Sequence, residues 1–261
     1  MTPDGTEAAL EVVDLSKRYD DTLALDGLTF RVLPGEIIGL VGPNGAGKTT
    51  ALRTIAGVLP VQEGLVRILG HDLVRDEVRA KARMAWVPDD PQPFDTLTVE
   101  EHLEFTAELY RVPDWRPRAA ELLARFELEE KRGALGGELS RGMRQKLAFS
   151  CAWLPRPSVV LLDEPLSGLD PRGIRSARTA IRDLAAEGSA VILSSHLLEL
   201  IEALASRILI LDRGRRVFVG TLAEARATLA PEHGTSLEEI FFAATGEGAR
   251  ASRPEVGAGE P

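Results

Sequence analysis

The sequence predicts an α/β fold, a parallel sheet covered by helices on both faces. Two observations carry that expectation. Short apolar runs such as EIIGLVG, SVVLLD and AVILSS recur between segments of helical periodicity, and strands that read as continuous hydrophobic runs are those buried on both faces. The first of these runs passes directly into the glycine-rich stretch Gly42 to Thr49 and then into a helical pattern, the strand–loop–helix order of a parallel α/β unit.

The elements follow in order. Leu10 to Val32 reads as short strands turning at Asp20 and Asp21. EIIGLVG is a buried strand, and a helix runs from Lys48 to about Ala56. GLVRILG and RMAWVP are further strands, after which Leu97 to Leu154 is helical, with Pro113 and Pro117 expected to interrupt it. Within that stretch lies ELSRGMRQ, Glu138 to Gln145. Ser140 suits a helix N-cap, where its oxygen accepts from first-turn amides. Gly142 is harder to account for, because glycine inside a helix costs about 1 kcal/mol relative to alanine. SVVLLD, a helix around Ile174 to Ala186, AVILSS, a helix from Leu197 to Ala205, and the strand pair RILILD and RRVFVG complete the alternation. The tail at 247–261, within GEGARASRPEVGAGEP, lacks apolar periodicity and reads as disordered.

Composition narrows the function classes. A chain of 261 residues, 44% hydrophobic and 27% charged, has the make-up of a globular protein with a full core. A net charge of −9 argues against general nucleic-acid binding, which needs a basic face. Cys151 is the single cysteine, so no internal disulfide can form, as expected in a reducing compartment. It sits among Phe149, Ala152 and Trp153 and reads as packing. The apolar stretch Ala190 to Leu211 is broken by His196, Glu199, Glu202 and Arg207, so no span of roughly 20 apolar residues is visible. The first residues, MTPDGTEAAL, show no secretory signal.

The chemistry is concentrated in two motifs. Gly42-Pro43-Asn44-Gly45-Ala46-Gly47-Lys48-Thr49 fits the phosphate-binding pattern G-x-x-x-x-G-K-[ST] at every fixed position. Backbone amides must converge on phosphate oxygens at a helix N-terminus, and side chains there would block the approach. Lys48 supplies a point charge for the β- and γ-phosphates and Thr49 a hydroxyl for Mg²⁺. In VVLLDEP, Asp163 and Glu164 end a buried strand at the carboxyl edge where ligands of α/β sheets bind. Asp163 suits Mg²⁺, through water, and Glu164 suits polarising an attacking water.

With these motifs the chain resembles the nucleotide-binding subunits of ABC transporters, from about Leu10 to Gly246. LSRGM stands where that family has its L-S-G-G-Q signature, and Ser167 to Asp170, SGLD, matches its D-loop. His196 matches the switch histidine, and Tyr19 the aromatic that stacks on adenine, although one aromatic near a turn is also ordinary edge-strand packing. The resemblance implies a P-loop NTPase core with an N-terminal antiparallel β subdomain and an inserted α-helical subdomain. It implies an ATPase domain at 10–221 with the helical insertion at about 94–156, then a helical extension at 222–246. It extends the ATP contacts to Thr50, and it gives Lys48, Glu164 and His196 catalytic roles. It also implies head-to-tail pairing with a second ABC subunit, identical or homologous. Ser140 and the amide of Gly142 would then meet the γ-phosphate held by the other chain. The implied setting is the cytoplasmic face of the cell membrane, on a separate permease.

Two departures stand out. Arg141 and Met143 occupy signature positions where the family commonly has glycine and glutamine, and RGMRQKL looks like the branch serving ABC-2-type export permeases. In VPDDPQPF the family usually has Pro-Gln, whose glutamine helps ligate Mg²⁺. The family's spacing of ten residues before the valine of a T-V pair leads from Val99 to Asp89, while Gln92 is only seven away. Asp89 therefore takes the glutamine's place as a candidate metal ligand, the alternative being that Asp89 and Asp90 cap a turn. His71, His102 and His233 have no comparable context and read as surface or packing residues. The leading function is ATP hydrolysis driving a transporter, with export suggested by the branch. A soluble ABC-type ATPase of translation, repair or chromosome organisation is the alternative, but such relatives carry tandem domains or a long coiled-coil insertion. A small-molecule phosphotransferase leaves Ser140, Gly142 and His196 unexplained.

Overall fold

A computed structural model describes residues 7–229 and 236–245, with only the backbone of Ala243. The N-terminal hairpin joins β1 (Leu10–Tyr19) to β2 (Thr22–Val32). Tyr19 pairs with Thr22 across a two-residue turn, and Asp20 takes the left-handed conformation (φ 46°) that short aspartate side chains tolerate. β4 (Glu63–Ile68) and the two-residue β5 (His71–Asp72) extend this into an antiparallel sheet of order β2-β1-β4-β5.

The second sheet contains β3 (Ile37–Val41), β6 (Met84–Val87), β7 (Val159–Asp163), β8 (Ala190–Ser194), β9 (Arg207–Asp212) and β10 (Arg215–Thr221). Its order is β10-β9-β3-β8-β7-β6, parallel except for the edge pairing of β10 with β9. β3, β7 and β8 are buried at every residue, and the period of two divides their side chains between two cores. Ile38, Leu161, Ile192 and Leu209 join Leu10, Leu28 and Phe30 of the antiparallel sheet and Leu52 and Ile55 of α1 (Lys48–Ile55). Val160, Leu162, Val191 and Ile208 face the opposite way, with Ile181 of α6 (Pro171–Ala186) and Ile201 of α7 (Leu198–Leu204).

That second core continues into the helical region. α2 is the short Glu77–Lys81 segment, and α3 (Val99–Tyr110), α4 (Trp115–Arg125) and α5 (Arg141–Trp153) follow β6. Thr98 and Glu101 close a capping box at the start of α3. Phe149 of α5 stacks on Phe126 at 5.4 Å and meets Trp153 edge-on at 5.3 Å, packing the end of α4 onto α5. Pro113 lies in the break between α3 and α4, whereas Pro117, expected to interrupt, sits within the first turn of α4. The amide it lacks has no intrahelical partner there, so the helix accommodates it. His102 is a packing residue, as expected. It is buried, its Nε2 accepts from the Phe94 amide at 2.9 Å and its Nδ1 lies 2.7 Å from the Thr98 carbonyl. α8 (Leu222–Leu229) and α9 (Leu237–Thr245) close the described chain. His233 and the tail at 247–261 lie outside the described residues.

Candidate functional site

The three central parallel strands β3, β8 and β7 end side by side; β8 and β7 deliver polar residues just past their last apolar positions, and β3 delivers a glycine-rich loop. β3 opens into the loop Gly42 to Gly47, and Gly47 caps α1 with φ 103°. Any side chain there would be strained, and a Cβ would stand 2.6 Å from the carbonyl of Ala24. Lys48 folds back over the loop, its Nζ donating to the carbonyls of Gly42 at 2.5 Å and Pro43 at 3.1 Å. Burial pushes the Lys48 ammonium below its ordinary pKa, while the negative charges of Glu164 and Asp163 oppose that shift.

Asp163 is 4% exposed. Its Oδ1 accepts from Ser194 Oγ at 2.6 Å and lies 3.5 Å from Thr49 Oγ1, which brings the loop and the end of β7 together. Glu164 follows in a left-handed conformation (φ 46°), which turns the chain away from the strand direction. Its amide donates to the Ser194 carbonyl at 3.1 Å. Its Oε2 accepts from Ser195 Oγ at 3.3 Å and lies 2.8 Å from His196 Nδ1. Ser194 and Ser195 escaped the sequence reading. The available signal was two hydroxyls placed between an apolar strand and His196.

The donor set of Thr49 and Asp163 fits Mg²⁺, a hard cation that takes oxygen ligands and shares them with phosphates. The hydroxyl and carboxylate lie within one small span, with Ser194 holding the carboxylate.

Ser140 caps α5 as expected, accepting from the Met143 amide at 3.3 Å. Among the described residues neither Ser140 nor Gly142 shares a hydrogen bond with the phosphate loop of its own chain. A Cβ on Gly142 would stand 2.8 Å from the carbonyl of Gly168, so the glycine lets the SGLD turn lie against the helix. Asp89 is about half exposed, and its Oδ1 accepts from Arg141 Nη2 at 3.2 Å. Gln92 donates to Asp90 at 2.7 Å. Tyr19 is 43% exposed at the end of β1, with the Lys17 ammonium 5.7 Å from its ring centre. Ala46, Asn44, Gly45 and Thr50 fill the loop and first helical turn around Lys48 and Thr49.

A phosphate-binding loop opening a helix, with an acidic pair at the end of β7 two strands away across β8, defines a nucleotide-hydrolysing α/β protein. The ABC transporter family model matches residues 25–167, more than half of the chain. Nod factor export ATP-binding protein I of Paraburkholderia xenovorans is 36% identical over 90% of this chain and 77% of its own length. The daunorubicin resistance ATP-binding protein DrrA3 of Streptomyces coeruleorubidus is 36% identical over 85% and 71%. The ABC-type transporter ATP-binding protein EcsA of Bacillus subtilis is 31% identical over 92% and 98%. A solved ATP-binding subunit of an ABC transporter superposes with a TM-score of 0.87 at 34% identity, covering 90% of this chain and 99% of that one. A nucleotide-free ATP-binding cassette at 22% identity shares the fold, with a TM-score of 0.71 over 82% and 92%. The chain belongs to the ABC transporter family of ATP-binding subunits, and it is an ATPase.

Proposed function

We propose that this chain powers an exporter, hydrolysing ATP at a site it completes with a second ABC subunit, identical or homologous, on the inner face of the membrane. Support for export comes from the relatives, two of which are named for Nod factor export and daunorubicin resistance. The observation that carries the hydrolytic reading is the convergence on Glu164. A carboxylate oriented by Ser195 and His196 stands one residue from Asp163 and near the Lys48 charge.

In this reading the amides of Gly42 to Thr50 receive the phosphates, and Lys48 exchanges its loop carbonyls for the β- and γ-phosphate oxygens. Tyr19 offers its exposed ring to adenine. Thr49 and Asp163 would hold Mg²⁺, with Asp89 adding a contact through water, and the ion would supply charge neutralisation at the phosphates. Glu164 accepts the proton of the attacking water, and His196 fixes that carboxylate and faces the γ-phosphate. Ser140 and the Gly142 amide, at the N-terminus of α5, contact the γ-phosphate held by the partner subunit. In this reading the ATPase domain spans 10–221 and a C-terminal extension 222–246, with helices at Leu222–Leu229 and Leu237–Thr245 among its described residues.

Residues 94–156 form the docking region for a permease. Phe94, Phe105 and Leu109 are exposed there at 57%, 49% and 66%, and exposed apolar patches of this kind mark interaction sites. Beside them lies a mainly apolar cleft of about 210 Å³ lined by Pro88, Pro93, His102, Leu147, Ala148 and Cys151. Among the described residues no helix is long and apolar enough to cross a membrane, so in this reading attachment runs through the permease. Purification of the tagged chain from native membranes, with mass spectrometry of what accompanies it, tests this. A permease is expected, and recovery of ribosomes in its place would overturn the proposal in favour of a soluble ABC-type ATPase.

A further inference from the structure

The Arg141 side chain joins three segments that are far apart in sequence. It projects from the first turn of α5, between Ser140 and Gly142. One nitrogen, Nη2, donates to Asp89 Oδ1 at 3.2 Å and to Ser167 Oγ at 2.8 Å. Asp89 belongs to the loop leaving β6 and Ser167 to the turn that begins at Glu164. The aliphatic part of the same side chain lies against Gly168, whose added Cβ would meet Arg141 carbons at 3.1 and 3.2 Å. One turn along α5, Arg144 reaches Asp90 at 3.8 Å and also donates to the Leu139 carbonyl at 3.4 Å. Two adjacent acids of one loop thus face two arginines spaced three apart on one helix, the spacing that puts both on the same side.

The Arg141–Asp89 pair is half exposed, at 49% and 50%, so it adds little to stability. Its value is geometric. A guanidinium presents several hydrogens in a fixed plane and can hold two acceptors at a set separation. Asp89 keeps its second oxygen, which accepts no hydrogen bond among the described residues, so Arg141 orients this carboxylate without consuming it.

We propose that Arg141 is a positioning residue for ATP hydrolysis. By holding Asp89 and Ser167 together, it fixes the loop after β6 and the turn after Glu164 relative to the α5 N-terminus that carries Ser140. This rests on the reading of that N-terminus as part of the hydrolytic site. The arginine at this signature position is then a working side chain, and removing it loosens an arrangement needed at the transition state more than nucleotide binding.

The test is steady-state hydrolysis by the full chain and by Arg141→Ala, Asp89→Ala and the double variant, with KM for ATP read alongside kcat. Arg141→Ala is expected to lower kcat about tenfold with KM changed less than about twofold. The double variant is expected to lose less than the product of the two single losses, because both variants remove the Arg141–Asp89 contact. Arg116→Ala, which breaks an exposed ion pair to Glu104, controls for simple loss of a surface charge and should leave kcat unchanged. An unchanged kcat in Arg141→Ala, a loss confined to KM, or losses that multiply in the double variant would overturn the proposal. A wild-type chain that does not hydrolyse ATP would instead contradict the ATPase reading, so the two failures are distinguishable.

Discussion

His196 Nδ1 lies 2.8 Å from Glu164 Oε2, joining the residue that follows β7 to the second residue past β8. Adjacent parallel strands bring about this meeting of residues 32 positions apart. Ser195 and His196 together orient the carboxylate, and orientation of this kind is what the general-base role proposed for Glu164 requires.

Glu164→Gln keeps the shape and removes the charge. ATP should still bind while hydrolysis falls at least about a hundredfold. The stalled protein should accumulate as an ATP-bound dimer on size-exclusion chromatography with Mg²⁺ and ATP. Hydrolysis at the original rate would remove Glu164 from the mechanism.

Asp89→Asn separates a metal role from a turn role. If the free oxygen of Asp89 serves Mg²⁺ through water, the variant needs more Mg²⁺ for half-maximal hydrolysis, while ATP binding changes less. A Mg²⁺ titration with an unchanged midpoint would return Asp89 to the turn and to Arg141.

The parallel sheet and the phosphate loop were legible because both are local. A five-residue apolar strand and a glycine pattern depend on their own residues alone. Gly142 shows where that limit lies. The contact that excludes a side chain comes from Gly168, 26 positions later, and no period or motif connects the two. Arg141 is similar, since its partners Asp89 and Ser167 flank it at 52 and 26 positions. Pro117 failed differently, because a proline's effect depends on whether it falls in a first turn or an interior.

Gly142→Ala follows from that contact. Alanine should favour the helix by about 1 kcal/mol, yet its methyl would press on the Gly168 carbonyl at 2.8 Å. Hydrolysis should fall while helix content by circular dichroism stays constant. An unimpaired rate would show that the SGLD turn yields without consequence.

Cys151 gives a pH prediction. Burial pushes its thiol up to about 11 from 9.0, against a smaller opposing effect of a hydrogen bond with Thr106. The folded chain then holds a proton that the unfolded chain releases between pH 9 and 11, so this group's contribution falls as pH rises through that window. Denaturant unfolding at pH 8 and pH 11 should show a smaller alkaline loss for Cys151→Ala than for the wild type. Equal losses would mean that the thiolate is accommodated in the folded protein.

The shared site is the central claim, and mixing two inactive variants tests it most directly. Lys48→Ala disables the phosphate loop of its own chain, and Ser140→Arg disables the α5 N-terminus it presents to its neighbour. Each variant alone should be inactive. In a mixed head-to-tail dimer one site combines both defects and the other is intact. An equal mixture should therefore recover about a quarter of wild-type turnover, from half the dimers with one working site each. No recovery above the separate variants, with mixed dimers present, would contradict a site built from two chains.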